Sequence, residues 1–92
     1  GASVFSFLRK GGDRPVLVVL NLTPVTRPGY RIGVPVRGPW ETLLNSDDER
    51  YWGSGAGTSG SIETVDTPMH GRSHSLSVDL PPLGILFLAP ID

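Results

Sequence analysis

The chain of 92 residues has the length of one domain, and this excludes a barrel enzyme, which needs about 250 residues. Its 12 glycines and nine prolines divide the sequence into short segments and argue against long helices. The lack of cysteine excludes disulfide frameworks and thiolate metal sites, and the net charge of −1 gives no electrostatic basis for binding nucleic acid or an anionic membrane.

Charge is distributed unevenly along the chain. Residues 1–40 hold six Lys/Arg and one acidic residue, and residues 41–92 hold two Arg and eight acidic residues, which gives +5 and −6. We expect the two halves to face each other within one fold, because no block of like charges exceeds three residues. The longest aliphatic run, at 16–20, is far shorter than the about 20 residues of a membrane span. No signal-peptide pattern opens the sequence, so we expect a cytoplasmic protein without a membrane partner.

Two apolar, β-favouring runs come first, at 4–9 and 16–22, and the glycines between them suit a turn. The second run is apolar at successive positions, so we expect a central strand covered on both faces. Residues 23–29 lack periodicity and contain two prolines, which indicates a crossing connection.

The middle of the chain predicts two further strands. Residues 30–34 alternate between apolar and polar positions, and Pro35 predicts that this strand ends there or lies at an edge. We interpret 40–44 as a strand and the acidic remainder as a turn. A short helical turn at 47–51 is the alternative, because Ser46 and Glu49 fit a capping box.

The last third predicts a weak strand at 62–65, an alternating strand at 76–80 and a doubly covered strand at 85–89. About seven or eight short strands separated by turns favour an all-β fold, an antiparallel two-sheet sandwich of Greek-key type. We expect one domain over residues 1–92.

Several motifs match chemical sites only superficially. The glycine pattern at 55–60 leads into a β-like segment, whereas phosphate binding needs a helix N-terminus there. His70 and His74 have a zinc-like spacing without further ligands, and the acidic cluster at 47–49 lacks the alternating oxygen ligands of a calcium loop. We therefore predict no catalytic residue, no metal and no cofactor.

The aromatic residues fall into two groups. Tyr30 and Trp40 begin predicted strands, which indicates core positions. Tyr51 and Trp52 lie beside a glycine loop, outside any alternating pattern. Such rings either stack on sugars or pack against a neighbouring domain, and the residues alone leave both alternatives open.

Four strings in fixed order carry a more specific signal, and a resemblance runs through them over essentially the whole chain. The strings are residues 29–35, Trp40 followed by 44–47, residues 51–57, and 70–76 continuing into 80–83. Together they resemble the C-terminal β-sandwich of bacterial 1,4-α-glucan (glycogen) branching enzymes, in the α-amylase superfamily. Two positions depart from that pattern: Trp52, where a small residue or histidine is usual, and Thr58, where asparagine is usual.

The resemblance implies a parent enzyme that cuts an α-1,4-glucan and transfers the released chain to a 6-hydroxyl, giving an α-1,6 branch in glycogen biosynthesis. Such retaining enzymes use two carboxyl groups, which lie on a (β/α)₈ barrel absent from this chain. The fragment itself is therefore expected to be inactive, and the parent chain to be the enzyme.

Two roles remain for the domain, and an adhesion or immunoglobulin-like module is a third, less favoured reading because the chain has no cysteine pair. In the first role the domain packs on the barrel of its own parent chain and stabilises it. In the second, it binds α-glucan through exposed aromatic rings. The candidates for the interdomain contact are Asn45, Ser46, Asp47, Tyr51, Gly53, Ser54, His70 and Arg72. The candidates for glucan binding are Tyr51, Trp52, Asp48 and Arg50.

Overall fold

The computed structural model describes residues 4–10, 12–46, 57–58 and 60–91. Within these ranges every regular element is a β-strand, and all strand pairs are antiparallel. No helix in this part of the chain is long and apolar enough to span a lipid bilayer. The strands are β1 (Val4–Arg9), β2 (Val16–Asn21), β3 (Arg27–Val34), β4 (Pro39–Asn45), β5 (Ser61–Glu63), β6 (His74–Leu80) and β7 (Gly84–Pro90).

The all-β sandwich predicted from the sequence is confirmed. Five strands form one sheet in the order β1-β2-β7-β4-β5, and β3 and β6 form a second sheet of two strands. Because β7 joins β2 to β4, the first and last thirds of the chain lie side by side in the larger sheet. The core lies between the sheets, and among the described residues its buried members are Leu17, Val19, Ile32, Val34, Trp40, Leu76, Val78, Leu80, Leu86 and Leu88.

Several predicted boundaries are wrong in detail. β3 starts at Arg27 instead of Tyr30, because a register shift between these two residues lets the proline-containing segment join β6. β5 ends at Glu63, and Val65 forms an isolated bridge with Ser75 instead of extending the strand. β3 ends directly before Pro35, as predicted. The alternative helical turn at 47–51 lies outside the described residues.

The central position of β2 is confirmed. Leu17 and Val19 point into the core, and Val18 is also buried although it lies on the opposite face. β1 and β7 flank the strand on its two sides, so its backbone is paired along both edges. Because Val18 on the outer side is buried as well as Leu17 and Val19 on the core side, the run is apolar at successive positions instead of alternating.

Contacts between the two oppositely charged halves of the chain are also confirmed. Arg14 forms an ion pair of 2.7 Å with Glu41, and Arg37 lies 3.6 Å from Asp66. The Gly29 amide donates to the carboxylate of Asp79 over 2.9 Å. Some of the basic residues in the first part of the chain are therefore paired with acidic residues in the second part within the fold.

Candidate docking surface

The larger sheet has an outer face, opposite the core, that is apolar. On β1, Val4 and Leu8 pack toward the core, whereas Phe5 and Phe7 point the other way and are 51% and 49% exposed. Phe5 lies opposite Leu20 and Phe7 opposite Val18 on β2. Side chains directly opposite each other on antiparallel strands share a face, so these residues form a continuous apolar surface.

The same surface continues across the sheet. Val18 lies opposite Phe87 of β7, which in turn lies opposite Leu44 of β4. A register shift between Thr42 and Leu44 leaves Leu43 as an extra residue, and its side chain is 40% exposed. We call the apolar residues on this side the outer face, and they are Phe5, Phe7, Val16, Val18, Leu20, Leu43, Leu44, Ile85 and Phe87. The charged residues Arg9 and Glu41 also point to this side, at one end of it.

A groove of about 340 Å³ crosses one end of the outer face. Val16, Leu43 and Phe87 give it an apolar lining, and Arg9 and Lys10 stand at its margin. Neither cation forms an ion pair with another described residue. The arrangement, an apolar centre with a charged margin, is typical of a surface that contacts another protein or domain.

Asn45 and Ser46, predicted to lie in a domain contact, make contacts within the sandwich. Asn45 is buried, and its side-chain amide lies 3.4 Å from the Thr58 carbonyl. The Ser46 hydroxyl accepts a hydrogen bond of 2.8 Å from the Ile85 amide. Both side chains therefore tie the end of β4 to neighbouring segments.

His70 and Arg72, the other described candidates, lie in an exposed turn. Two hydrogen bonds between Met69 and Arg72, of 3.0 and 2.9 Å, close this turn. His70 adopts a positive φ of 54° and accepts a bond of 3.4 Å from the Gly33 amide. Asp47, Asp48, Arg50, Tyr51, Trp52, Gly53 and Ser54 lie outside the described residues, so the glucan-binding set stays a prediction.

Thr58 departs from the expected asparagine, and the structure gives it a role. Its amide donates to the Asp79 carbonyl over 2.8 Å, and its hydroxyl accepts from the Asp79 amide over 2.7 Å. The side chain is nearly fully buried. Threonine at this position therefore bonds the loop to the end of β6 in the manner of a short strand pairing.

Metal-ligating side chains do not cluster in the part of the chain that the structure describes. His74 lies 3.2 Å from Asp66, whereas His70 contacts Gly33, so the two histidines have different partners. Trp40 is fully buried in the core, as predicted, and its Nε1 donates to the Val36 carbonyl over 2.9 Å. Tyr30 is only partly buried and packs against the edge of the core.

Phe5 and Phe7 were not among the candidates from sequence. The sequence contained part of the information, because a strand at 4–9 places Val4, Ser6 and Leu8 on one face. It places Phe5, Phe7 and Arg9 on the other. Alternation identifies two faces but does not say which one meets the core. The pairing of β1 with β2 decides this.

Comparison with known proteins is consistent with this architecture. Residues 1–91 match the alpha amylase C-terminal all-beta domain. The chain is 53% identical over 89 residues to the 1,4-alpha-glucan branching enzyme GlgB of Pseudomonas syringae pv. tomato. The aligned region covers 96% of the chain and 12% of that protein. The chain is 56% identical over 89 residues to GlgB of Aromatoleum aromaticum, covering 96% and 14%.

A third relative, GlgB 1 of Xanthomonas euvesicatoria pv. vesicatoria, is 53% identical over 92 residues, covering 98% of the chain and 13% of that protein. The chain thus spans about an eighth of the length of these curated relatives. The resemblance inferred from the four strings is confirmed. The chain belongs to the family of alpha amylase C-terminal all-beta domains.

Proposed function

We propose that residues 1–92 form the single, non-catalytic C-terminal domain of a cytoplasmic 1,4-α-glucan branching enzyme, and that the domain packs on the barrel of its parent chain and stabilises it. The parent would transfer a segment of an α-1,4 chain to a 6-hydroxyl, as the names of the relatives suggest. The catalytic carboxyl groups would lie on the barrel.

The observation that carries the packing role is the exposure of Phe5 and Phe7 on an apolar sheet face. Antiparallel sheets usually bury one face and present polar residues on the other. Here the outer face is apolar from β1 to β4 instead. An apolar face of this extent favours burial against another domain, since its removal from water contributes about 25 cal/mol per Å².

The contact is proposed to centre on the outer face rather than on the turns. Asn45 and Ser46 already satisfy polar groups within the sandwich, so they support the domain from inside. His70 and Arg72 are exposed and stay candidates for a second contact. Arg9 and Lys10 would meet the barrel at the margin of the apolar groove.

A substitution in the full-length parent chain tests the packing role. Phe7→Thr keeps a β-favouring residue on β1 but removes the ring, and Val65→Thr is the matched control at another exposed apolar position. We expect Phe7→Thr to lower the midpoint of thermal unfolding by at least about 2 °C, because a ring buried in an interface contributes about 1.5–3 kcal/mol. The control should change it much less. Equal effects of the two substitutions would contradict the proposal.

A further inference from the structure

The described part of the sandwich has four sheet edges, and three of them carry features that block further strand pairing. β5 is only three residues long. β3 has a register shift between Arg27 and Tyr30, contains Pro28 and is followed by Pro35. Short strands, bulges and prolines are the usual ways in which natural sheets prevent edge pairing.

The free edge of β6 is already partly occupied. Ser75 exchanges two hydrogen bonds with Val65, of 2.9 and 3.0 Å. At the other end of the strand, Asp79 bonds to Thr58 over 2.8 and 2.7 Å. An additional strand would have to displace both contacts.

β1 has none of these features. Its register with β2 continues over all six residues, from Val4 opposite Asn21 to Arg9 opposite Val16, without a bulge or a proline. The first charged side chain is Arg9, at its last position. β1 is the outermost strand and pairs only with β2, so alternate N–H and C=O groups point away from the sheet. No hydrogen bond joins that side of β1 to another described residue.

A groove of about 300 Å³ runs beside this edge. Ser6 and Leu8 of β1 line one side of it, and the turn that carries His70 and Arg72 forms its far wall. Leu17 and Ile32, each only 2% exposed, lie at its base. This turn is held close to β3, since a Cβ at Gly33 would lie 2.0 Å from the Met69 carbonyl oxygen. The groove beside β1 is therefore bounded on its far side by a turn that packs closely against β3.

We propose that an extended segment of the parent chain, from outside residues 1–92, adds to the free edge of β1 as a sixth strand of the larger sheet. Its backbone would bond to the outward N–H and C=O groups of β1, and side chains at alternate positions would enter the groove between β1 and the turn at 69–72. The inference rests on the proposal that the domain belongs to a longer chain, because the relatives extend over about eight times its length. A tethered segment has a high effective concentration, which favours it over a second copy of the domain.

Hydrogen–deuterium exchange of the full-length parent, resolved to single amides, tests this pairing. We expect the alternate amides of β1 that do not bond to β2 to exchange at least about tenfold more slowly than unpaired amides in an open edge. Exchange of those amides at the rate of an unstructured chain would overturn the inference. Protection that disappears on dilution would also overturn it, because it would identify a second copy as the partner.

Ser6→Lys provides the matched variant, since Ser6 is exposed at the centre of β1 and borders the groove. A lysine there places a charge against the added strand, so the outward amides of β1 should exchange at least about tenfold faster while those bonded to β2 stay protected. Ser61→Lys on the β5 edge is the control and should leave β1 unchanged. Equal exchange in the two variants would refute the added strand. The proposed packing role is judged separately, by the effect of Phe7→Thr.

Discussion

At the scale of single residues, Asn21 illustrates how a polar side chain becomes part of the core. It is fully buried at the end of β2, and its side-chain amide donates to the carbonyls of Val25 and Pro81 over 3.0 and 2.9 Å. Its side-chain oxygen accepts from the amide and the hydroxyl of Thr23, over 3.0 and 2.6 Å. One residue thus satisfies groups from two segments, the connection at 23–25 and the turn at Pro81, and nothing local in the sequence distinguishes this role from an exposed turn asparagine.

Asn21→Ala is expected to be strongly destabilising. The substitution leaves buried donors and acceptors without partners, and the free energy of unfolding should fall by about 3 kcal/mol. Urea denaturation measures the change, and Thr26→Ala, at an exposed position nearby, is the control, with an expected change within about 0.5 kcal/mol. A cost below about 1 kcal/mol for Asn21→Ala would show that water replaces these hydrogen bonds.

At the scale of elements, most strands were predicted correctly from local patterns. Apolar, β-favouring runs predicted β1, β2 and β7, and alternation predicted β3 and β6. β4, β6 and β7 lie within about two residues of their predicted bounds. The predicted start of β3 was wrong because Pro28 and Gly29 lie in a segment without periodicity, which is typical of a loop. A register shift against β6 accommodates them, and this depends on the partner strand.

The contact between the turn at 69–72 and β3 gives a second stability prediction. Gly33 lies under this turn, and a Cβ there would meet the Met69 carbonyl oxygen at 2.0 Å and its carbon at 2.8 Å. Gly33→Ala should therefore displace the turn and lower the free energy of unfolding by about 2 kcal/mol. Urea denaturation measures the loss of stability, and amide exchange reports on the turn. Ser77→Ala, at an exposed position on the paired strand β6, is the control for both measurements. An unchanged Met69–Arg72 turn with wild-type stability would show that the backbone adjusts without cost.

At the scale of the whole molecule, the sandwich is a domain with one apolar face turned outward. Two of its acidic residues make contacts that support the fold: Glu41 with Arg14, and Asp79 with the Gly29 amide. A retaining glycosyl transfer needs two carboxyl groups about 5–5.5 Å apart beside a bound sugar ring, and we propose that these groups lie on the barrel of the parent chain.

The 92-residue chain alone is accordingly expected to have no branching activity. Incubation with amylose followed by iodine staining measures this, since branching shortens the linear segments that bind iodine. The full-length parent chain is the positive control and should change the spectrum. A clear spectral change produced by the 92-residue chain would place catalytic groups within the sandwich and would refute its accessory role.

The sequence by itself determined the fold class, the position of most described strands and the family, because each depends on local patterns: apolar runs and alternation, turn residues and ordered strings such as residues 29–35. It did not determine which face of β1 would be buried, since alternation is symmetric between Val4/Ser6/Leu8 and Phe5/Phe7/Arg9. The register with β2 and the position of the second sheet decide this. They turn the two phenylalanines outward and leave the other edge of β1 unpaired, because sheet faces and sheet edges exist only after distant segments have come together.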